Sequence, residues 1–159
     1  MIRDELLKIG FLTGSRAFGT NRNESDYDIV YSVVDSHIVA RLIEGREKTP
    51  SDYFAGYYFY DTDGAQVNMI PVHPHEFLPW YLATRAMKET LKISGIDSPI
   101  KKYAVFMGIV SLYKGTVQEE GTVNNYNKVK HNILTIETGM PIVDIMEQRE
   151  KETFDAIFP

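Results

Sequence analysis

The fold of this chain is decided by two neighbouring segments, GSRAFGT at residues 14–20 and SDYDIV at residues 25–30. The apolar run at residues 9–12 predicts a short buried strand that ends at Gly14 and Ser15. A small residue followed by a hydroxyl can begin a helix there, with free backbone N–H groups at its first turn. Such groups attract anions, so the first segment predicts a phosphate-binding turn.

The second segment places two acidic residues in a predicted strand. Asp26 and Asp28 alternate with Tyr27 and Ile29, so both carboxylates point to one face while the other two side chains enter the core. Like charges so close together are normally avoided in sheets, which favours a functional reason for the pair. Because Mg²⁺ prefers one or two carboxylates together with substrate phosphates, the combination predicts a site for a nucleoside triphosphate.

The Gly-Ser turn, followed about ten residues later by Asp-x-Asp, resembles the signature of the DNA polymerase beta-like nucleotidyltransferase superfamily, and most closely that of its minimal nucleotidyltransferases. The resemblance is confined to the two segments above. It implies transfer of a nucleoside monophosphate, usually from ATP, to a hydroxyl acceptor with Mg²⁺ or Mn²⁺. It further implies that Asp26 and Asp28 are the catalytic residues and metal ligands, and that Gly14 and Ser15 hold the phosphates.

Two cationic residues are predicted to assist nucleotide binding. Arg16 lies inside the motif turn, where its forked guanidinium suits phosphate oxygens. Nucleotidyltransferases often bring a lysine from a later helix to the triphosphate, and Lys128 is the residue that the resemblance assigns to this role. The alternatives are an exposed loop cation for Arg16 and a solvated helix face for Lys128.

The chain departs from the superfamily pattern at the third carboxylate, which active members carry on a neighbouring strand. Residues 57–60 and 66–72 predict a hairpin, and the expected acid falls near Asn68. An amide cannot act as a base near neutral pH. Three possibilities remain: another acid substitutes for the third carboxylate, the triphosphate supplies what Asn68 lacks, or the protein binds nucleotide without transferring it. The candidate substitutes are Asp52, Asp61 and Asp63, of which the last two suit a tight turn better.

Three classes of function follow. The first is a nucleotidyltransferase whose acceptor is a protein side chain, as in the antitoxins of this superfamily, or a small molecule such as an aminoglycoside. The net charge of −5 disfavours RNA as the acceptor. The second is a non-catalytic nucleotide-binding or partner-binding module. The third is a structural protein in which the motif is fortuitous.

The whole chain is predicted to be α+β, with a nucleotidyltransferase-like mixed sheet and helices over residues 1–92. Residues 93–159 are predicted to be helical and packed on this core as a single compact unit, with an apolar tail that docks on the core or on another subunit of a homo-oligomer. Predicted early elements are a helix over 2–8, strands over 9–13 and 26–34, and a helix from Ser36 that Gly45 ends. The chain has no cysteine and no run of about 18 apolar residues, which predicts a cytoplasmic protein outside the membrane.

Overall fold

The computed structural model describes residues 1–51, 56–94 and 98–114. Five strands form one mixed sheet, and helices lie on both of its faces. The strands are β1 (Phe11–Thr13), β2 (Tyr27–Ser32), β3 (Thr49–Pro50), β4 (Tyr57–Tyr60) and β5 (Gln66–Val72). The helices are α1 (Ile2–Leu6), α2 (Gly14–Phe18), α3 (Ser36–Leu42), α4 (Pro74–Ser94) and α5 (Pro99–Lys114), with a 3-10 turn at Val33–Asp35 before α3.

The sheet has the strand order β1-β2-β5-β4-β3. The central strands β2 and β5 run parallel, whereas the other neighbouring pairs are antiparallel. The predicted α+β class, the mixed sheet and the hairpin formed by β4 and β5 are therefore confirmed for the described residues. The parallel pairing sets Asp28 directly opposite Asn68.

Alternation of side chains along β2 and β5 divides the core into two layers. The face that carries Val30 and Ile70 packs against α4 and α5 through the buried residues Phe77, Trp80, Tyr81, Phe106 and Tyr113. The opposite face, which carries Ile29 and Met69, packs against α1 and α3 through Leu6, Val39 and Ile43. Asp28 and Asn68 share the parity of Val30 and Ile70, so they belong to the face covered by α4 and α5.

Three early elements are shorter than predicted. Helix α1 ends at Leu6 rather than at residue 8, and β1 begins at Phe11 rather than at residue 9. The chain between them passes so close to β2 that a Cβ atom on Gly10 would overlap the carbonyl oxygen of Val30. Strand β2 ends at Ser32, because Val33 and Val34 form the 3-10 turn instead of continuing the strand.

Two long helices follow the sheet. Pro74 occupies the first turn of α4, where its missing N–H leaves no partner unsatisfied. Helix α4 runs through to Ser94, and α5 packs against it in the larger core. The predicted helical region continues to residue 159, but its part after residue 114 lies outside the described residues. The predicted division between a core and a helical region at residue 93 therefore stays a prediction. No helix in the described ranges combines the length and apolar character needed to cross a membrane.

Candidate functional site

The motif turn places backbone groups of α2 directly against a carboxylate. Gly14 begins α2 with a φ of +70°, a conformation that favours glycine, and a Cβ atom at this position would overlap Asp28 Oδ2. The preceding Thr13 provides no side-chain cap to α2, because its hydroxyl shares a 2.8 Å hydrogen bond with that of Thr84. The predicted turn and helix start are thus confirmed, and the turn requires glycine for two independent reasons.

Asn68 joins the two acidic residues of the motif. Its Nδ2 donates to Asp28 Oδ1 at 2.7 Å and lies 3.4 Å from Asp26 Oδ2. Asp28 lies on β2, and Asp26 immediately precedes that strand. Asp26 and Asp28 therefore converge as predicted, and the residue facing both is Asn68, the position at which the resemblance predicts a third acid.

Asp28 has an unusual electrostatic environment. Burial raises its pKa from 3.8 to about 6, with the hydrogen bond from Asn68 opposing this rise and the charge of Asp26 adding to it. The carboxylate is thus mostly ionised at neutral pH, although the folded state disfavours its charge. A bound cation would relieve that unfavourable charge, as would protonation.

A cavity of about 370 Å³ opens beside Asp28, within the size range of small-molecule sites. One part of its lining is polar and comes from Thr13, Gly14, Ser15, Thr20, Asp28, Ser51 and Asn68. Another part is apolar and includes Phe18, Ile70, Trp80 and Phe106. Of the described residues that line it, Asp28 and Lys102 carry charge. The cavity therefore joins a polar part beside Asp28 to an apolar part that contains aromatic rings.

Three helices contribute aromatic rings to the apolar wall. The ring of Phe106 on α5 lies 5.1 Å from that of Trp80 on α4 and 5.8 Å from that of Phe18 on α2, measured between centroids. Lys102 and Tyr103 precede Phe106 by about one helical turn and line the same cavity. Tyr103 is 43% exposed, so this part of the wall also reaches solvent.

Arg16 makes contacts within the protein that the sequence analysis did not predict. Its Nε and Nη2 donate to the carbonyl oxygen of Ser25 at 3.0 and 2.7 Å, and Nη2 also donates to that of Asn23 at 3.1 Å. The guanidinium carbon lies 4.0 Å from the ring centroid of Tyr27. Arg16 thus fastens α2 to the loop that leads into Asp26, while its contact with phosphate stays a prediction.

Two of the proposed substitute acids have other partners. Asp61 accepts hydrogen bonds from the backbone N–H groups of Ile2 and Arg3 and forms a 2.9 Å ion pair with the Arg3 guanidinium. Arg3 also binds Asp63 at 2.6 Å, and this hydrogen bond lowers the pKa of Asp63 to about 2. Neither carboxylate lines the cavity. The other candidate acid, Asp52, and the predicted phosphate ligand Lys128 both lie outside the described residues.

The contribution of α4 and α5 to the cavity is not predicted from the sequence. Four residues of these helices line it, namely Trp80, Lys102, Tyr103 and Phe106, and none of them is among the site residues predicted from the sequence. The spacing of residues 102, 103 and 106 does show that they share a helical face. No local pattern indicates which part of the sheet that face contacts. The sequence therefore shows that these residues lie together on a helix but not that they line the cavity.

Across the described ranges, no three histidine, aspartate or glutamate side chains are grouped so as to hold a metal ion. At the predicted metal site, the structure brings together two carboxylates, those of Asp26 and Asp28, with the amide of Asn68. Comparisons with protein-family models, with curated proteins and with solved structures found no match for this chain. Inferences about function therefore depend on the motif and on the geometry of this cavity.

Proposed function

We propose that the protein binds a nucleoside triphosphate, ATP being the first candidate, with Mg²⁺ and transfers its nucleoside monophosphate to a hydroxyl acceptor. One observation carries this proposal: Asp28 lies against the Gly14 turn, beside Asp26, at a cavity of small-molecule size. In this arrangement the backbone N–H groups after Gly14 and the hydroxyl of Ser15 would bind phosphate oxygens. The carboxylates would stand beside the phosphates, where a shared cation is needed.

The donor set fits one magnesium ion. Two carboxylates that reach the same amide nitrogen can also share a cation, and Mg²⁺ usually takes one or two carboxylates together with substrate phosphates. When bound, the ion would polarise the phosphates and offset the negative charge that develops on them. Mn²⁺ has the same preference for oxygen ligands and can replace Mg²⁺ in experiments.

The transfer requires one bond to form and one to break. The acceptor oxygen bonds to the α-phosphorus, and the bond from that phosphorus to the oxygen bridging to the β-phosphate breaks, so pyrophosphate leaves. The proton of the acceptor hydroxyl passes to Asp28 or to solvent, since the amide of Asn68 cannot take it. The main contribution of the protein is then to position the reactants and to stabilise charge.

The remaining cavity lining suits the other end of a nucleotide. Phe18, Trp80 and Phe106 offer apolar ring surfaces for a planar base. The acceptor is expected to be a protein side chain or a small molecule, because a chain with a net charge of −5 has little attraction for RNA.

A second candidate function is nucleotide binding without transfer. The observation that favours it is the amide of Asn68 at the position of the third carboxylate, donating to Asp28. Loss of a base affects the chemical step more than it affects binding. This candidate predicts magnesium-dependent binding with no release of pyrophosphate.

The two candidates separate in a transfer assay. The protein is incubated with α-labelled ATP, GTP, CTP or UTP and Mg²⁺, with and without cell extract, and both pyrophosphate and protein-bound or small-molecule label are measured. Label transfer that is lost in Asp28→Asn and retained in Glu24→Gln, which removes a charge from an exposed position nearby, supports the transferase. Saturable binding without transfer favours the second candidate, and absence of both contradicts the proposal.

A further inference from the structure

The side-chain amide of Asn68 has a fixed orientation. Its nitrogen faces Asp28 and Asp26, while its oxygen accepts a 3.0 Å hydrogen bond from Nε2 of Gln66. An ionised carboxylate can only accept hydrogen bonds, so an amide oxygen turned toward two carboxylates would be repelled. Partners at both ends of the amide therefore hold its N–H groups against the acidic pair.

In this orientation the N–H groups of Asn68 interact with the two carboxylates at the position where a cation would otherwise lie. The amide nitrogen carries two hydrogens and can offer one to each carboxylate. Hydrogen bonds of this kind offset part of the repulsion between Asp26 and Asp28 when no cation is bound. An aspartate at the same position would add a third negative charge and would have no hydrogen to donate.

We infer that Asn68 makes cation binding at this site depend on the nucleotide, an inference that rests on the proposed function. A cation that enters between Asp26 and Asp28 must displace the N–H groups of Asn68. Two carboxylates whose oxygens are already hydrogen-bonded hold a divalent ion weakly. Phosphate oxygens that arrive with the ion supply the missing ligands, so the ion and the nucleotide bind together.

The test measures Mn²⁺ binding to the full chain by electron paramagnetic resonance, with and without α,β-methylene ATP, which cannot release pyrophosphate. Wild type is expected to bind Mn²⁺ weakly alone and to take one ion per chain with the analogue. Asn68→Asp is expected to bind Mn²⁺ at least about tenfold more tightly than wild type without the analogue. Asn21→Asp adds the same charge on an exposed loop and should leave the affinity near that of wild type.

A second variant keeps the inference testable if three carboxylates prevent Asn68→Asp from folding. Asn68→Ala removes the donor without adding charge, so Mn²⁺ should bind somewhat more tightly than to wild type in the absence of nucleotide. Weaker binding by Asn68→Ala would mean that the amide oxygen is itself a ligand, and would overturn the inference. Equal affinity of wild type and Asn68→Asp without nucleotide would overturn it as well.

Failure of the proposed function would look different. In that case the analogue would not increase Mn²⁺ binding in wild type or in any variant. The comparison of wild type with Asn68→Asp and Asn68→Ala in the absence of nucleotide would still decide the role of Asn68.

Discussion

Replacement of Asp28 by asparagine should stabilise the fold at neutral pH while it removes the proposed function. Burial raises the pKa of Asp28 from 3.8 to about 6, so the folded protein disfavours the ionised form relative to the unfolded chain. Asparagine has nearly the same shape, carries no charge, and still offers an oxygen to Nδ2 of Asn68. The variant therefore keeps the hydrogen bond and loses the unfavourable buried charge.

The size of the effect follows from the pKa. A tenfold change in proton affinity corresponds to about 1.4 kcal/mol, so ionised Asp28 destabilises the fold by up to about 3 kcal/mol. Partial exposure of the side chain reduces this to about 2 kcal/mol. For a chain of this length, such a change raises Tm by roughly 4 to 8 °C.

The pH dependence has a definite sign. Below the unfolded pKa of 3.8, Asp28 is protonated in both states and contributes no penalty. The penalty grows as the pH rises from there and is complete above about 6, where the group is ionised in both states. The difference in Tm between Asp28→Asn and wild type should accordingly be small near pH 4 and largest above pH 7.

Thermal unfolding followed by circular dichroism, in buffers free of divalent cations, measures this difference. Glu24→Gln serves as the matched control, because it removes one negative charge from an exposed residue of the loop that leads into β2. The reasoning is refuted if Asp28→Asn is no more stable than wild type at pH 7.5, or if its gain does not change with pH.

Three further perturbations test separate parts of the account. Gly14→Ala should abolish nucleotide binding measured by calorimetry and lower Tm, because the new methyl group would overlap the carboxylate of Asp28; unchanged binding would contradict the site. Asp61→Ala should lower the free energy of unfolding in urea by about 3 kcal/mol, since a fully buried carboxylate paired with Arg3 is lost, yet nucleotide affinity should persist. The single tryptophan, Trp80, lines the cavity, so its fluorescence should change saturably with Mg-ATP at the calorimetric midpoint; a flat titration would place the nucleotide elsewhere.

The features that were predicted correctly from the sequence are determined by residues close together in the chain. The turn at Gly14, the alternation around Asp28 and the hairpin turn between β4 and β5 each draw on residue preferences within a few positions. The hairpin turn contains Gly64 with a φ of +85°, and the side chain of Asp63 accepts a hydrogen bond from the N–H of Ala65. Both features are typical of a tight turn with the sequence Asp-Gly.

Local preference was misleading at the end of β2. Val33 and Val34 are β-branched and favour a strand, in agreement with the predicted strand over 26–34. In the structure the hydroxyl of Ser32 accepts from the N–H of Val34 at 3.3 Å and starts a 3-10 turn. Both valines remain about 40% exposed, so no burial in the sheet offsets the local hydrogen bond.

The contacts that could not be predicted join distant parts of the chain. Arg3 and Asp61 are separated by 58 positions, and neither residue's neighbourhood indicates the other. The same holds for Lys102 and Trp80 at the cavity, whose positions depend on how α4 and α5 pack on the sheet. The turn motif predicts residues of the polar lining of the cavity, such as Gly14 and Ser15. The apolar lining depends on how helices pack on the sheet, which local sequence patterns do not show.

The most direct test of the central claim is isothermal titration calorimetry of wild type and Asp28→Asn with α,β-methylene ATP, in the presence and absence of Mg²⁺. The analogue isolates binding from transfer and needs no knowledge of the acceptor. The account predicts one nucleotide per wild-type chain in a magnesium-dependent reaction, with affinity lost in Asp28→Asn even though that variant is the more stable protein. Absence of binding to wild type, or equal binding to both proteins, would contradict it.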